Sequence, residues 1–345
     1  MRPFDLQTVA DVEAALRQLP VASEPPAPRR QQQAVQFIAG GTNLIDLMKV
    51  DVLGPSRLVD INFLPLNSIE PTSNGGLMLG ALVSNADTAY HSEVAARYPL
   101  LSAAILAGAS PQLRNMATNG GNLLQRTRCY YFYDVGTACN KRQPGSGCPA
   151  RDGVNRIHAI LGASEHCIAV HPSDMCVALA ALQALVHVQS LRGRRVIPFA
   201  EFHRLPGDTP DLDTNLAEDE LVLGIELPPN QLAAHSCYLK LRDRASYAFA
   251  LVSVAAALAL DADGAICDLR LALGGVAHRP WRDTTAESKL LGYRPSAELF
   301  GALANEVLAG AQGHGHNDFK ITMARRAIVR ALSNASGLAT VEAHA

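Results

Sequence analysis

The sequence predicts an α+β chain, and three observations carry that prediction. Val35–Lys49 followed by Arg57–Ile61 runs strand, glycine turn, helix, strand. Past Pro228-Pro229 the pattern changes to successive strands and then two helices, the order of a small α+β unit. The 345 residues, 48% of them hydrophobic, suffice for two or three domains with a large core.

Taken in order, Asp11–Leu19 has the period of a short amphipathic helix, and the Pro- and Gln-rich stretch after it reads as an exposed connection. The strand in V-Q-F-I-A-G-G-T-N-L ends at Gly40-Gly41, and Thr42 or Asn43 can cap the helix that follows. This turn is neither G-x-G-x-x-G nor a P-loop. Its amides suit an anion at a helix N-terminus, and its glycines equally suit a tight turn with positive φ. Gly76–Leu82 reads as a strand, Ser84 or Asn85 as the cap of a helix, and Leu100–Ala107 as an apolar helix. A second Gly-Gly, Gly120-Gly121, again stands beside Thr and Asn, and two such loops converging on one diphosphate would account for both.

Asp174 in H-P-S-D-M opens an apolar helical run, where a carboxylate suits the first turn. Val186–Ile197 reads as a hairpin turning near Arg192-Gly193, and Glu220–Pro228 as a strand. Beyond it come strands at Ser236–Leu241, in F-A-L-V-S-V-A-A-A-L-A-L and after Asp263-Gly264, then helices at Arg294–Ala309 and Ile321–Leu332. An antiparallel sheet with helices on one face is expected there.

Composition narrows the function. A net charge of -2 argues against a nucleic-acid surface. No apolar run approaches the roughly 18 residues that span a bilayer, and the N-terminus has no apolar export core. Seven cysteines form an odd set that does not read as a disulfide framework. Cys176, Cys237 and Cys267 sit in apolar or strand-like surroundings and read as buried thiols. Cys129, Cys139, Cys148 and Cys167 share one loop-rich segment with the spacing C-x9-C-x8-C-x18-C, unlike compact ferredoxin spacing and too wide for the usual zinc patterns. Zinc and a loop of free thiols remain open beside a cluster. His158 and His166 are spare ligands or solvated loop histidines. No nucleophile–base pair stands out, so no catalytic residue is assigned.

Five motifs occur in a fixed order: F-I-A-G-G-T-N-L (37–44), A-T-N-G-G-N-L (117–123), S-D-M (173–175), E-L-V-L-G-I-E-L-P (220–228) and K-L-R-D-R-A-S-Y (240–247). On them the chain resembles the FAD-binding subunits of the molybdenum hydroxylases, the group of xanthine dehydrogenase, carbon monoxide dehydrogenase and aldehyde oxidoreductases. The resemblance implies a two-subdomain FAD-binding fold of the PCMH/VAO type and a C-terminal domain of the CO dehydrogenase flavoprotein type. The divisions would be 1–62, 63–229 with an insertion at 126–168, 230–335, and a tail at 336–345. It implies that Phe37, Ile38, Ala39, Gly40, Gly41, Thr42, Asn43 and Leu44 hold the FAD diphosphate together with Thr118, Gly121 and Asn122, through backbone amides and the Thr and Asn side chains. Asp174 would bind the adenosine end, Val222 would pack near the flavin, and Lys240 would lie at the isoalloxazine edge. The aromatic ring that some relatives stack on the flavin has no match in Gly108-Ala109-Ser110.

The cysteine segment resembles the insertion of 4-hydroxybenzoyl-CoA reductase and, more nearly, of bacterial periplasmic aldehyde oxidoreductases, whose flavin subunits carry an extra [4Fe–4S] cluster. Cys129, Cys139, Cys148 and Cys167 would be its ligands, with Lys141, Arg142 and Arg151 offsetting its charge and the flavin as a neighbour. The implied role is an electron-transfer subunit of a heterotrimeric aldehyde oxidoreductase, with a molybdenum-cofactor large subunit, a [2Fe–2S] small subunit and an external electron acceptor. A self-sufficient FAD-dependent oxidase is the alternative, and a non-catalytic scaffold a third. The compartment is cytoplasmic by default, or periplasmic through co-export with a signal-bearing partner.

Overall fold

The first strand–helix alternation folds as a small parallel sheet. In the computed structural model, which describes residues 1–20, 27–30 and 33–338, β1 (Asp5–Thr8), β2 (Val35–Ile38) and β3 (Arg57–Asp60) pair in the order β1-β3-β2. Sequence patterning misses β1 because D-L-Q-T is exposed along its whole length. Only its register with β3, Asp5 against Arg57 through Thr8 against Asp60, makes it a strand. Asp11 caps the helix Val12–Leu16 by accepting the Ala14 N–H at 2.7 Å, and Leu16 packs on Val59 and Ile61. Most of the Pro- and Gln-rich connection lies outside the described residues. Within them, Pro28 bridges to Ala217, and Arg29 is buried rather than exposed.

Five antiparallel strands form the second sheet. They are β4 (Ile69–Pro71), β5 (Leu77–Gly80), β6 (Leu185–Ser190), β7 (Gly193–Pro198) and β8 (Leu221–Leu227), in the order β4-β5-β8-β6-β7. The expected hairpin is β6–β7, with Ser190 opposite Gly193. Helices Pro99–Ala107 and Asp174–Ala181 cover the sheet through Leu101, Ala104, Met175 and Leu179 against Leu79, Val186 and Ile225. The apolar run after Ser173 is not one helix. It ends at Ala181, Gln183 takes a left-handed φ of 55°, and Leu185 starts β6. Composition hides this break, since both halves are equally apolar.

The third sheet is a meander of β9 (Ser236–Leu241), β10 (Val252–Leu260) and β11 (Ile266–Gly274). Val252, Val254 and Leu258 face Phe300, Leu303, Ile328 and Leu332 of the helices Ala297–Val307 and Phe319–Ser336. This domain's own two helices thus cover one face of its sheet, as expected. Ala255, Ala257 and Ala272 on the opposite face join the core that holds helices Pro99–Ala107 and Asp174–Ala181. Small side chains at alternate positions of β10 leave room for those helices. Gly337, at φ 74°, ends the last helix, and residues 339–345 of the expected tail lie outside the described residues.

Candidate functional site

Two glycine loops meet at the mouth of the parallel sheet. Beyond β2 the chain turns through Gly41, at φ +69°, into the helix Leu44–Lys49. A Cβ on Gly40 would stand 1.7 Å from the Met116 carbonyl oxygen, so glycine is needed there for the two loops to touch. In the second loop Thr118 caps the short helix Asn119–Leu123, its Oγ1 accepting the Gly121 N–H at 3.2 Å.

The division of labour differs from the expectation that both loops present amides and side chains alike. Asn43 does not cap its helix; its Oδ1 accepts the Arg126 N–H at 2.8 Å. Asn122 is committed to Asn85 at 2.6 Å and to Ser173 at 2.5 Å. In the second loop the N–H groups of Asn119, Gly120, Gly121 and Asn122 go to Val83, Ala81, the Thr118 side chain and the Thr118 carbonyl. Those of Gly40 to Asn43 take no carbonyl among the described residues. The second loop is therefore a rigid wall, and the first carries the open amides that suit an anion.

Between the loops lies a cavity of about 520 Å³. Its lining includes Phe37, Ile38, Ala39, Gly40, Gly41, Thr42, Asn43, Leu44, Thr118, Gly121, Asn122, Asp174, Val222 and Lys240, all the flavin-site residues named from sequence. Leu221, the neighbour of Val222, packs with Phe37 of β2. Lys240 Nζ meets Asp174 Oδ2 at 2.8 Å and the Ala107 carbonyl at 3.0 Å. The Tyr238 hydroxyl donates to Asp174 Oδ1 at 2.7 Å. Ser173, not Asp174, is the helix cap. Asp174 and Lys240 thus occupy one place on the cavity wall.

Sequence reasoning missed several lining residues. Arg114 is buried with its guanidinium on the Leu106 and Gly108 carbonyls and its Nε without a partner. Phe249 lies 4.9 Å beneath the Arg128 guanidinium and brings an aromatic ring to the cavity from the C-terminal loop. The signal for Phe249 was its place directly after R-A-S-Y-A. Nothing in the sequence marked Arg114. The open amides, the glycine-only approach and the orphaned Arg114 nitrogen all fit an anionic dinucleotide.

The cysteine segment packs against the first loop's helix. Cys129, Phe132, Cys139, Ile168 and Ala169 join Leu47, Met48 and Leu53 in one apolar cluster, so this segment is better packed than its composition suggested. Cys129, Cys139, Cys148 and Cys167 line one small pocket with Thr127, Asn140 and Lys141, and all four are free thiols. The pocket amounts to about 10 Å³, too little space for a four-iron cluster as it stands, while the four thiols are the donor type such a cluster takes. Burial pushes the Cys129 thiol up to about 12. A hydrogen bond between Cys148 and Cys167 lowers the former and raises the latter.

The expected charge offset is changed. Lys141 is ion-paired with Asp213, as is Arg126 at 2.5 Å, while Arg142 donates to the carbonyls of Tyr131 and Phe132 and Arg151 pairs with Glu165. Burial opposes the Asp213 charge, yet Arg126 and Lys141 hold its carboxyl well below the usual range. His158 is not solvated: it is 1% exposed, with Nε2 3.0 Å from Cys129 Sγ. His166 is half-exposed, as a loop histidine would be. Of the other three thiols, Cys176 is buried, Cys237 is half-buried and Cys267 is exposed, against the expectation for the last.

The helix-by-strand order has known counterparts. Residues 4–230 match the FAD binding domain in molybdopterin dehydrogenase, and residues 237–335 match the CO dehydrogenase flavoprotein C-terminal domain. The chain is 50% identical over 301 residues to the aldehyde oxidoreductase FAD-binding subunit PaoB of Escherichia coli K12, covering 87% of this chain and 91% of that one. It is 29% identical to the glyceraldehyde dehydrogenase medium chain of Sulfolobus acidocaldarius, over 80% and 83% of the two. A solved carbon monoxide dehydrogenase from Hydrogenophaga pseudoflava superposes with a TM-score of 0.72 at 25% identity over 98% of each chain. The glyceraldehyde and carbon monoxide dehydrogenase relatives are medium chains by name, and no helix among the described residues is long and apolar enough to cross a membrane. Ordered glycine loops, a committed dinucleotide cavity and both domain matches place this chain among the FAD-binding subunits of the molybdenum hydroxylase family.

Proposed function

We propose that this chain is the FAD- and [4Fe–4S]-binding electron-transfer subunit of a heterotrimeric molybdenum-containing aldehyde oxidoreductase. Electrons from the molybdenum site of a large subunit would reach the FAD through the [2Fe–2S] clusters of a small subunit, and leave to an external acceptor. The observation that carries this is the convergence of four free cysteines on one pocket, packed directly on the helix of the first flavin loop. The 50% identity to an aldehyde oxidoreductase FAD-binding subunit supports the substrate class.

In this arrangement FAD, when bound, supplies the redox chemistry, and the chain's own residues hold and tune it. Gly40 to Asn43 present their amides to the diphosphate, and Thr118, Gly121 and Asn122 form the wall against which it rests. Asp174 and Lys240, paired at 2.8 Å, would meet the FAD at one place, and Val222 would pack near the flavin. Cys129, Cys139, Cys148 and Cys167 would hold the cluster. Among the described residues, only His171, Cys176 and His203 bring three potential metal ligands within 4.8 Å of one another. Functional divisions at 1–62, 63–229 and 230–335 belong to the same proposal, as does a periplasmic place by co-export with a signal-bearing partner, or a cytoplasmic one.

Cys139→Ser tests the ligand set. Iron per chain is expected to fall while FAD stays bound. Retention of four irons would refute the assignment. A purified lone chain that oxidised aldehydes without molybdenum would replace the whole reading with a self-sufficient oxidase. Cell fractionation of the assembled complex reads the compartment.

A further inference from the structure

His158 occupies a place that the flavin and cysteine assignments leave unexplained. Its ring is buried between Tyr130 and Tyr131, each with centroid 6.4 Å away, and Nε2 lies 3.0 Å from Cys129 Sγ. Nδ1 has no hydrogen-bond partner among the described residues. The backbone beneath it is clamped. Lys320, wholly buried on the last helix, donates to the His158 carbonyl at 2.7 Å and to the Gly275 carbonyl at 2.6 Å. Asn317 donates to the carbonyls of His158 and Ala159 at 3.3 and 2.9 Å. Burying a lysine and an asparagine to hold two loop carbonyls is a large outlay for a segment of no catalytic use, unless the side chain's position matters.

The sulfur it touches is also singled out by position. A second cavity, of about 290 Å³, lies beside the first; Asp174, Arg244 and Phe249 line both. Cys129 and His158 line this second cavity too, and Cys139, Cys148 and Cys167 do not. Cys129 is therefore the sulfur on the flavin-facing side.

We propose that His158 tunes the cluster by donating its Nε2–H to the Cys129 sulfur, with Lys320 and Asn317 as positioning residues that hold the ring in place. This rests on the cluster assignment above. An N–H donor to a ligand thiolate spreads negative charge and favours the reduced, more negative cluster, so it raises the potential.

The test uses the full chain in its assembled complex, comparing wild type with His158→Leu and His158→Gln, the latter keeping an N–H donor. Iron and FAD per chain are measured first, then the cluster midpoint potential by redox-titrated electron paramagnetic resonance. Retained iron, a midpoint shifted negative in His158→Leu and recovery of most of the shift in His158→Gln are expected. An unchanged midpoint in His158→Leu with iron retained overturns the proposal, as does loss of iron in both variants, which would make His158 a ligand. If only the leucine variant loses iron, wild-type protein exchanged into heavy water decides. An exchangeable deuteron coupled to the cluster supports the donor, and its absence refutes it. Wild-type chain without iron would instead remove the cluster assignment itself.

Discussion

Replacing Gly40 by alanine would place a methyl carbon 1.7 Å from the Met116 carbonyl oxygen and 2.6 Å from the carbonyl carbon. Ordinary contact starts near 3.4 Å, so the loops must part by roughly 1.7 Å. The obstacle is backbone, with no side chain to swing aside. Overpacking of this kind costs about 1–3 kcal/mol, and a rigid neighbour puts Gly40→Ala at the upper end. That corresponds to a drop in Tm of roughly 6–12 °C in a domain of this size. The same displacement draws the open amides of Gly40 to Asn43 away from the wall at Thr118, so FAD affinity should fall at least about tenfold, or 1.4 kcal/mol. Flavin absorbance per chain and thermal unfolding, with and without added FAD, read the two effects. Gly301→Ala is the control: it lies inside the helix Ala297–Val307, and a Cβ there meets nothing within 4 Å. It should stabilise the chain by about 1 kcal/mol and leave FAD untouched. If Gly40→Ala kept both full FAD and the wild-type Tm, the apposition of the two loops would be wrong.

Other outcomes follow from the buried charges. Lys240→Met leaves Asp174, whose side chain is only 7% exposed, with the Tyr238 hydroxyl as its remaining partner, and should cost about 3–5 kcal/mol. Adding Asp174→Asn should recover much of that loss in the apo chain while FAD binding stays weak, as titration calorimetry would show. His203 is lowered by burial to about 4, against roughly 6.5 when unfolded. The unfolded chain then binds the extra proton, so stability is full above about pH 6.5 and declines towards pH 4 at up to about 1.4 kcal/mol per unit. His203→Phe should flatten the denaturation profile in that window by close to one proton; an unchanged slope would show that His203 does not titrate there.

Much of the fold was legible because periodicity and punctuation survive in the linear chain. The β2–helix–β3 unit, the β6–β7 hairpin and the C-terminal meander each carry their own apolar pattern and turn residues. β1 was not legible, because an exposed four-residue strand has no pattern until β3 supplies its partner. Nor was the break at Gln183, where an apolar helix passes into an apolar strand. The fourteen residues named from motifs all line the cavity, since a glycine loop's chemistry lies in its own backbone, whereas Arg114 and Phe249 were missed.

What the sequence determined alone, then, is the set of parts: two glycine loops, four spaced cysteines, and an acid and a lysine in the order of a known family. Which parts touch was decided only by tertiary structure. The Lys240–Asp174 pair spans 66 residues of sequence, and Lys320 reaches His158 across 162. Such contacts depend on how helices cover sheets, and no local pattern encodes them. The structure therefore set Asp174 against Lys240 and Lys141 against Asp213. It also turned His158 from a loop residue into the neighbour of Cys129.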